Sequence, residues 1–293
     1  MNPFSLFIEY SAVGIASGGI YALIALGIVV IFKSSRTFNF AMGEMMMLSA
    51  YFFYSAAVTF ALGIWLGFAA AIVASIVVAL VIERVALRPM LGRPFIASVM
   101  VTFGVGSIIR GIVGMIWGPN DLQIPSILAR APVMLGSVFI PGKTARAFAI
   151  ALIIVLLLIA FLRYSRAGIA LRAAAIDQAT SYSMGIDVAR VIAFTWIIAA
   201  VIGCISGVLM ANVNSLTPSL GLVALNVLSV VILGGMNSIG GVLVAGIIIG
   251  WLEAVTGWVI GTEYREITPY ILVLLVLLVR PTGLFGSQEV ERI

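Results

Sequence analysis

The sequence predicts an all-α integral membrane protein, a polytopic bundle of about eight or nine transmembrane helices. Of its 293 residues, 63% are hydrophobic and only 9% are charged, whereas soluble proteins carry about 25% charged residues. Lys and Arg lie mostly in short loops between long apolar runs. Lipid tails tolerate such an apolar exterior and water does not, so we expect one transmembrane domain over residues 1–293.

The apolar runs predict where the chain crosses the bilayer, because a membrane helix needs about 20 mostly apolar residues. The seventh run is short, which is compatible with a broken or re-entrant helix, a form tolerated only where protein or water surrounds it. The nine predicted spans are residues 10–32, 42–62, 63–82, 95–117, 147–163, 191–211, 222–235, 240–260 and 267–280.

The basic residues predict the orientation of these spans. One side receives most of them, and the other receives Arg130, Lys143, Arg146 and Arg265. The basic side is expected to be cytoplasmic. We therefore expect a multi-pass protein of the bacterial inner membrane with a periplasmic N-terminus and a cytoplasmic C-terminus. Residues 118–146 become a periplasmic loop, and residues 164–190 become the longest cytoplasmic loop.

Several classes of function are excluded by residue types that the chain lacks or uses sparingly. The chain has no histidine, which removes Ser-His and Cys-His nucleophilic pairs and HExxH zinc sites. Its one cysteine, Cys204, lies in an apolar run and is expected to pack. Residues 141–144 read PGKT but lack the glycine spacing of a phosphate-binding loop. We therefore expect no catalytic residue, no metal site, no ATPase and no nucleic-acid partner.

The cytoplasmic loop contains an alanine-rich stretch that favours a short helix, with Gly185 placed to end it. Leu171, Ala174, Ala175 and Ala179 fall on one face. Small side chains there suit insertion into a groove of a partner protein. A helix lying on lipid headgroups is the alternative, but it would carry bulkier apolar residues.

Two further segments carry polar residues beside or within the spans. Asn39 and Glu44 lie at the membrane edge or just inside it, where Glu44 either contacts a translocation path or is a helix-start carboxylate. The run at 233–241 (LGGMNSIGG) predicts a tight turn or the tip of a broken helix. Asn226 could line the path or form a hydrogen bond between helices, and Asn237 could line the path or satisfy backbone groups freed at this turn. Tight helix packing is expected at Gly14, Gly18, Gly19, Gly104, Gly106, Gly111 and Gly114.

The order of several short runs resembles the branched-chain amino acid ABC transporter permeases, and most of all the shorter of the two permeases in such systems. These runs are residues 19–27 (GIYALIALG), 39–44 (NFAMGE), 168–173 (GIALRA), 233–241 and 280–286 (RPTGLFG), together with Asp177 and the pair Gly185-Ile186. They cover nearly the whole chain. One departure is Met42, where many members carry histidine.

The resemblance implies a non-enzymatic permease subunit of an ABC importer. It would act with a second homologous permease, as a heterodimer, with two cytoplasmic ATPases that bind ATP and Mg, and with a periplasmic binding protein. The chain itself would bind no cofactor. The solute would be a branched-chain or other hydrophobic amino acid; urea, short amides, and aromatic or carboxylic acids are alternatives.

Two sets of residues are the predicted sites of this activity. Because residues 164–190 are the only sizeable cytoplasmic surface, coupling to the ATPase is assigned to Arg172, Ala174, Asp177 and Gly185. We expect Arg172 to reach an acidic partner surface, and Asp177 to contact the partner or brace the loop. The translocation path is assigned to Asn39, Glu44, Asn226 and Asn237. A secondary transporter or channel is the alternative from a different class.

Overall fold

The computed structural model describes residues 3–90, 92–128, 131–135 and 138–286. Arg130, assigned above to the periplasmic loop, lies outside them. Within the described residues the chain forms eleven α-helices and one short antiparallel hairpin, in which Val133 pairs with Ile140. The elements are α1 (Pro3–Ser35), α2 (Met42–Tyr54), α3 (Ile64–Ile82), α4 (Phe95–Trp117), β1 (Val133–Leu135), β2 (Val138–Ile140), α5 (Gly142–Tyr164), α6 (Arg166–Ile176), α7 (Gln178–Ser183), α8 (Val188–Val213), α9 (Val223–Gly234), α10 (Ile239–Val259) and α11 (Thr268–Val279).

Each predicted span overlaps one of these helices, although α2 covers only the first part of the span predicted over 42–62, and the all-α membrane fold is confirmed. Six helices in the described chain, α1, α3, α4, α5, α8 and α10, are long and apolar enough to cross a bilayer. The other three, α2, α9 and α11, have 12 or 13 residues each. α5 begins at Gly142, so the predicted loop 118–146 includes the first five residues of this helix.

The described residues group into two compact units, and the chain alternates between them. Unit 1 contains the described parts of Met1–Val29, Leu128–Val155 and Leu225–Ile293. Unit 2 contains Val30–Ile127 and the described parts of Leu156–Ala224. Neither unit is a continuous stretch of sequence, so neither could be excised at a single boundary.

In unit 1, α1 and α10 approach closely through glycines spaced four residues apart on each helix. A Cβ on Gly18 would lie 2.3 Å from the carbonyl oxygen of Gly246, and one on Gly14 would lie 2.7 Å from that of Gly250. Small residues at this spacing let helix backbones meet in lipid. The tight packing predicted for Gly14 and Gly18 is therefore confirmed, and Gly19 likewise abuts Phe148.

In unit 2, α2 is the buried centre, packed against α3, α4 and α8. Cys204 lies in this core with Phe53, Ala71 and Val208, which confirms its packing role. On α4, however, a Cβ on Gly104, Gly111 or Gly114 would meet nothing within 4 Å. The prediction that these three glycines pack tightly within the chain was wrong; they belong to an outward face of the helix.

Candidate coupling surface and translocation residues

The loop predicted to couple to the ATPase folds as two helices, α6 and α7, because the chain is extended at Asp177. The Asp177 backbone has φ −150° and ψ 111°, which ends α6. Its carboxylate accepts hydrogen bonds from the backbone N–H of Thr180 at 3.1 Å and from the Thr180 hydroxyl at 2.5 Å, which caps the start of α7. Asp177 thus braces the loop, one of the two roles expected of it.

Gly185 ends α7 as the sequence indicated, although it ends the second helix and not a single long one. Its φ is +83°, a left-handed conformation that glycine adopts without strain. The N–H of Gly185 donates to the Tyr182 carbonyl, and the N–H of Ile186 donates to the Ser181 carbonyl, both at 3.0 Å. Asp187 then caps α8 by accepting from the Arg190 N–H.

The alanine face of α6 points into the protein, so the prediction that it docks into a partner groove was wrong. Ala174 is only 1% exposed, and Leu171 and Ala175 are also buried. The side chain of Ala179 lies outside what the structure describes. In the described part of unit 2, α6 packs against α8. Small side chains here permit close packing within the chain, a use that sequence alone does not distinguish from packing against a partner.

The opposite face of α6 and the end of α7 carry large exposed side chains. Ile176 is 85% exposed, Met184 80% and Tyr182 74%, and Ile169 and Arg172 are exposed on the same face of α6 as Ile176. These five residues are called the outer face below. Arg172 donates one hydrogen bond to the Arg163 carbonyl at the end of α5, at 3.1 Å, and remains accessible.

Asn39 and Glu44 lie together where the chain enters α2. The Asn39 side chain is buried and accepts from the Ala41 N–H at 3.0 Å, so it shapes the turn before the helix. Glu44 lies in the first turn of α2 and forms an ion pair with Arg110 of α4.

The partner of Glu44 lies well inside α4. Arg110 is 15 residues beyond Phe95, the first residue of α4, which is about 22 Å along the helix at 1.5 Å per residue. The hydroxyl of Thr102, in the same helix, accepts from the Phe40 N–H at 3.2 Å. The segment before α2 therefore runs beside α4, and α2 starts well inside the span of that helix.

Asn226 and Asn237 lie near opposite ends of α9, so they do not line a common point. Asn226 accepts a hydrogen bond from the Tyr270 hydroxyl of α11 at 3.1 Å. Asn237 lies in the turn between α9 and α10, where Gly235 has φ +93° and the Ser238 hydroxyl accepts from the Gly241 N–H. The tight turn predicted at residues 233–241 is confirmed.

One polar cluster was missed by the sequence analysis. Glu253 of α10 accepts a hydrogen bond from the Tyr21 hydroxyl at 3.0 Å, and Arg265 lies 3.5 Å from the same carboxylate oxygen. Glu253 is a carboxylate within an apolar run of the sequence, but the sequence does not indicate its partners. Tyr21 is 232 residues away in sequence, so no local pattern indicates the contact.

Comparison with known proteins identifies the family. Residues 11–277 match the family described as branched-chain amino acid transport system / permease component. The chain belongs to this family. It is similar to the high-affinity branched-chain amino acid transport system permease proteins LivH of Escherichia coli K12 (33% identity over 100% of this chain and 99% of the relative) and BraD of Pseudomonas aeruginosa (30% identity over 96% of each).

The relatives and the fold together define the class of the protein. A chain of PsaBC from Streptococcus pneumoniae, solved in complex with a Fab, shares the fold with a TM-score of 0.50 at 13% identity, over 95% of this chain and 97% of that one. The family component is a membrane permease and not an enzyme. The chain is accordingly a multi-pass membrane protein that serves as a permease subunit of an ABC importer.

Proposed function

We propose that this permease carries branched-chain amino acids across the inner membrane of a bacterium. The full-length similarity to LivH carries the proposal, because the two chains align over 100% of this one and 99% of that one. Similarity confined to α6 and α7 would indicate only a shared mode of coupling. Similarity through the spans extends to the part of the chain that meets the solute.

The proposed assembly contains a second, homologous permease, two cytoplasmic ATPases that bind ATP and Mg, and a periplasmic binding protein. Asn39, Glu44, Asn226 and Asn237 contribute to the path in this proposal. Glu44 has the strongest support, since a charge pair deep in a membrane span is costly and usually faces a bundle interior or a cavity.

Nine crossings with the N-terminus in the periplasm make up the proposed topology. Within unit 2, Arg36 donates to the Ala175 carbonyl at 2.9 Å, and Leu122 pairs with Leu216; these contacts join loops that this topology assigns to the same side. Within unit 1, the Leu284 N–H donates to the Leu233 carbonyl at 2.8 Å. That contact joins the ends of α9 and α11, both assigned to the cytoplasm.

The outer face of α6 and α7 is the proposed coupling surface, in place of the buried Ala174. Exposed large apolar residues on an otherwise polar surface mark interaction sites, and Arg172 among them offers a charge to an acidic partner. Asp177 separates α6 from α7 and Gly185 ends α7, so these two residues fix the position of α7 relative to α6. Their role in coupling is therefore to position the face and not to contact the ATPase.

Uptake into proteoliposomes tests the proposed function. The complete transporter, with its binding protein, is expected to accumulate labelled leucine, isoleucine and valine only when ATP is supplied to the ATPase side. Collapse of the membrane potential with an ionophore should leave uptake unchanged. Uptake that follows the potential without ATP would indicate a secondary transporter, and uptake of urea or benzoate in place of leucine would overturn the proposed solute.

A further inference from the structure

In unit 1, the two carboxylate oxygens of Glu253 differ: one faces hydrogen-bond donors, and the other faces none among the described residues. Its side chain is 2% exposed. Oε2 accepts from Tyr21 at 3.0 Å and faces Arg265 at 3.5 Å, whereas Oε1 is buried and has no hydrogen-bond partner among the described residues. A buried acceptor left unsatisfied costs about 1–3 kcal/mol, and more when it is charged. A donor that reached Oε1 would therefore be favourable.

Arg265 is a cation with spare hydrogen-bonding capacity next to this carboxylate. It lies in the turn between α10 and α11, and its side chain is 48% exposed. It approaches Glu253 through Nε at a distance longer than the usual 2.7–3.2 Å of an N–H···O bond. A guanidinium carries five N–H donors, which is more than its contacts with Glu253 and with the neighbouring Tyr21 hydroxyl use. A guanidinium in this state can bind a carboxylate through two parallel hydrogen bonds.

Open space adjoins the pair. Gly257 lies one helical turn beyond Glu253, and a Cβ there would meet only Arg265, with its Cδ 3.8 Å away. A small polar ligand at Gly257 would thus meet an anion and a cation.

We propose that Glu253 and Arg265 bind the head group of a zwitterionic α-amino acid during transport. The ligand's ammonium donates to Oε1 of Glu253, and its carboxylate accepts from the terminal amino groups of Arg265. The inference rests on the proposed function and adds the chemical basis for recognising the solute. It also explains why the long Arg265–Glu253 contact leaves both partners with unused hydrogen-bonding capacity.

A cysteine at position 257 reports on occupancy of this site. In a Cys204→Ala background, Gly257→Cys is the single thiol of the chain. The assembled transporter in nanodiscs is labelled with a methanethiosulfonate reagent in the presence of leucine, isocaproate or isoamylamine. Leucine should slow labelling by about tenfold, the effect of about 1.4 kcal/mol. Isocaproate lacks the ammonium and isoamylamine lacks the carboxylate, so neither should protect the thiol.

Variants of the pair separate recognition from structure. Glu253→Gln and Arg265→Gln should each abolish protection by leucine, while Arg265→Lys should retain part of it. The control is Glu263→Gln, which removes an exposed carboxylate from the same turn and should leave protection intact. Co-purification of the ATPases verifies assembly of each variant. Should Gly257→Cys fail to assemble, carbodiimide modification of Glu253 in the unaltered chain, read by mass spectrometry, replaces it as the reporter.

Three results would contradict the proposed amino acid site. The first is protection that survives both Gln variants, and the second is equal protection by isocaproate and isoamylamine. The third is absence of protection in a transporter that imports leucine. The last of these would leave the proposed function standing. A complete transporter that imports no amino acid would instead contradict the proposed function, and the site with it.

Discussion

Glu44, in the first turn of α2, forms an ion pair with Arg110 of α4 within the candidate membrane span Phe95–Trp117. The two ends of the pair differ in environment, since the Glu44 side chain is nearly buried and that of Arg110 is about half exposed. Removing one partner of a buried pair leaves an uncompensated charge, which costs about 3–5 kcal/mol. The cost therefore depends on which partner is removed.

Arg110→Gln should lower the thermal unfolding midpoint of the purified protein more than Glu44→Gln does. The first variant leaves a carboxylate unpaired where this chain encloses it, whereas the second leaves a guanidinium that this chain encloses only in part. The double variant should recover part of the loss, because neither charge remains. Unfolding is followed by a thiol-reactive dye that reports exposure of the buried Cys204.

Arg93→Gln is the matched control, because Arg93 is an exposed arginine between α3 and α4, and it should change the midpoint little. Purely additive losses in the double variant would show that Glu44 and Arg110 do not interact energetically. A double variant that is stable but does not transport would assign the pair to the path. Normal transport by that variant would give the pair a structural role.

Gly246→Leu should prevent α1 and α10 from packing, since a side chain there meets the Gly18 carbonyl 2.7 Å from the Cβ. Overpacking a fitted contact typically costs about 1–3 kcal/mol, and backbone on the opposing helix cannot move aside as a side chain can. Gly240→Leu is the control, because nothing lies within 4 Å of a Cβ at that position. We expect reduced yield of folded protein and a lower unfolding midpoint for the first variant only. Equal behaviour of the two variants would contradict this contact.

Gly185→Val should misplace α7, whereas Gly185→Asn should be tolerated. The left-handed backbone at φ +83° costs most residues about 1–2 kcal/mol, but asparagine adopts it more readily. Limited proteolysis of the loop at 177–187 measures the effect, with faster cleavage expected for the valine variant. Indistinguishable cleavage of the two variants would show that the conformation of Gly185 does not control this loop.

The sequence was sufficient for features that depend on local composition. Apolar runs located nine of the eleven helices in the described residues, and Gly185 was correctly predicted to terminate a helix. Sequence reasoning failed where the answer depended on what a face packs against. The alanines of α6 would fit a groove on a partner or the surface of α8 equally well. Only the three-dimensional structure shows that they pack against α8. Glycines at four-residue spacing on α1 face α10, while Gly104 and Gly111 on α4 face outward.

For the candidate functional residues too, the sequence indicates local features but not contacts between distant residues. Glu44, Glu253 and Arg110 stand out in the sequence because charges in apolar runs are rare. The sequence does not show which residues they contact. Glu44 and Arg110 are 66 residues apart, and Tyr21 and Glu253 are 232 residues apart. The burial of Ala174 moved the proposed coupling surface to the opposite side of the same helix, where Ile176 and Tyr182 are exposed.

Coupling through the outer face is tested most directly by comparing the two faces of α6 in one assay. The complete transporter is reconstituted with Ile176→Ser or Ala174→Trp, and ATPase co-purification and leucine-stimulated ATP hydrolysis are measured alongside the thermal unfolding midpoint. We expect Ile176→Ser to keep the midpoint but to lose the bound ATPase and the stimulated hydrolysis. We expect Ala174→Trp to lower the midpoint by overpacking a buried site. Coupling through the outer face would be contradicted if the Ile176→Ser transporter retained the ATPase and full stimulated hydrolysis. The same result from the double variant Ile176→Ser/Tyr182→Ser would also contradict it.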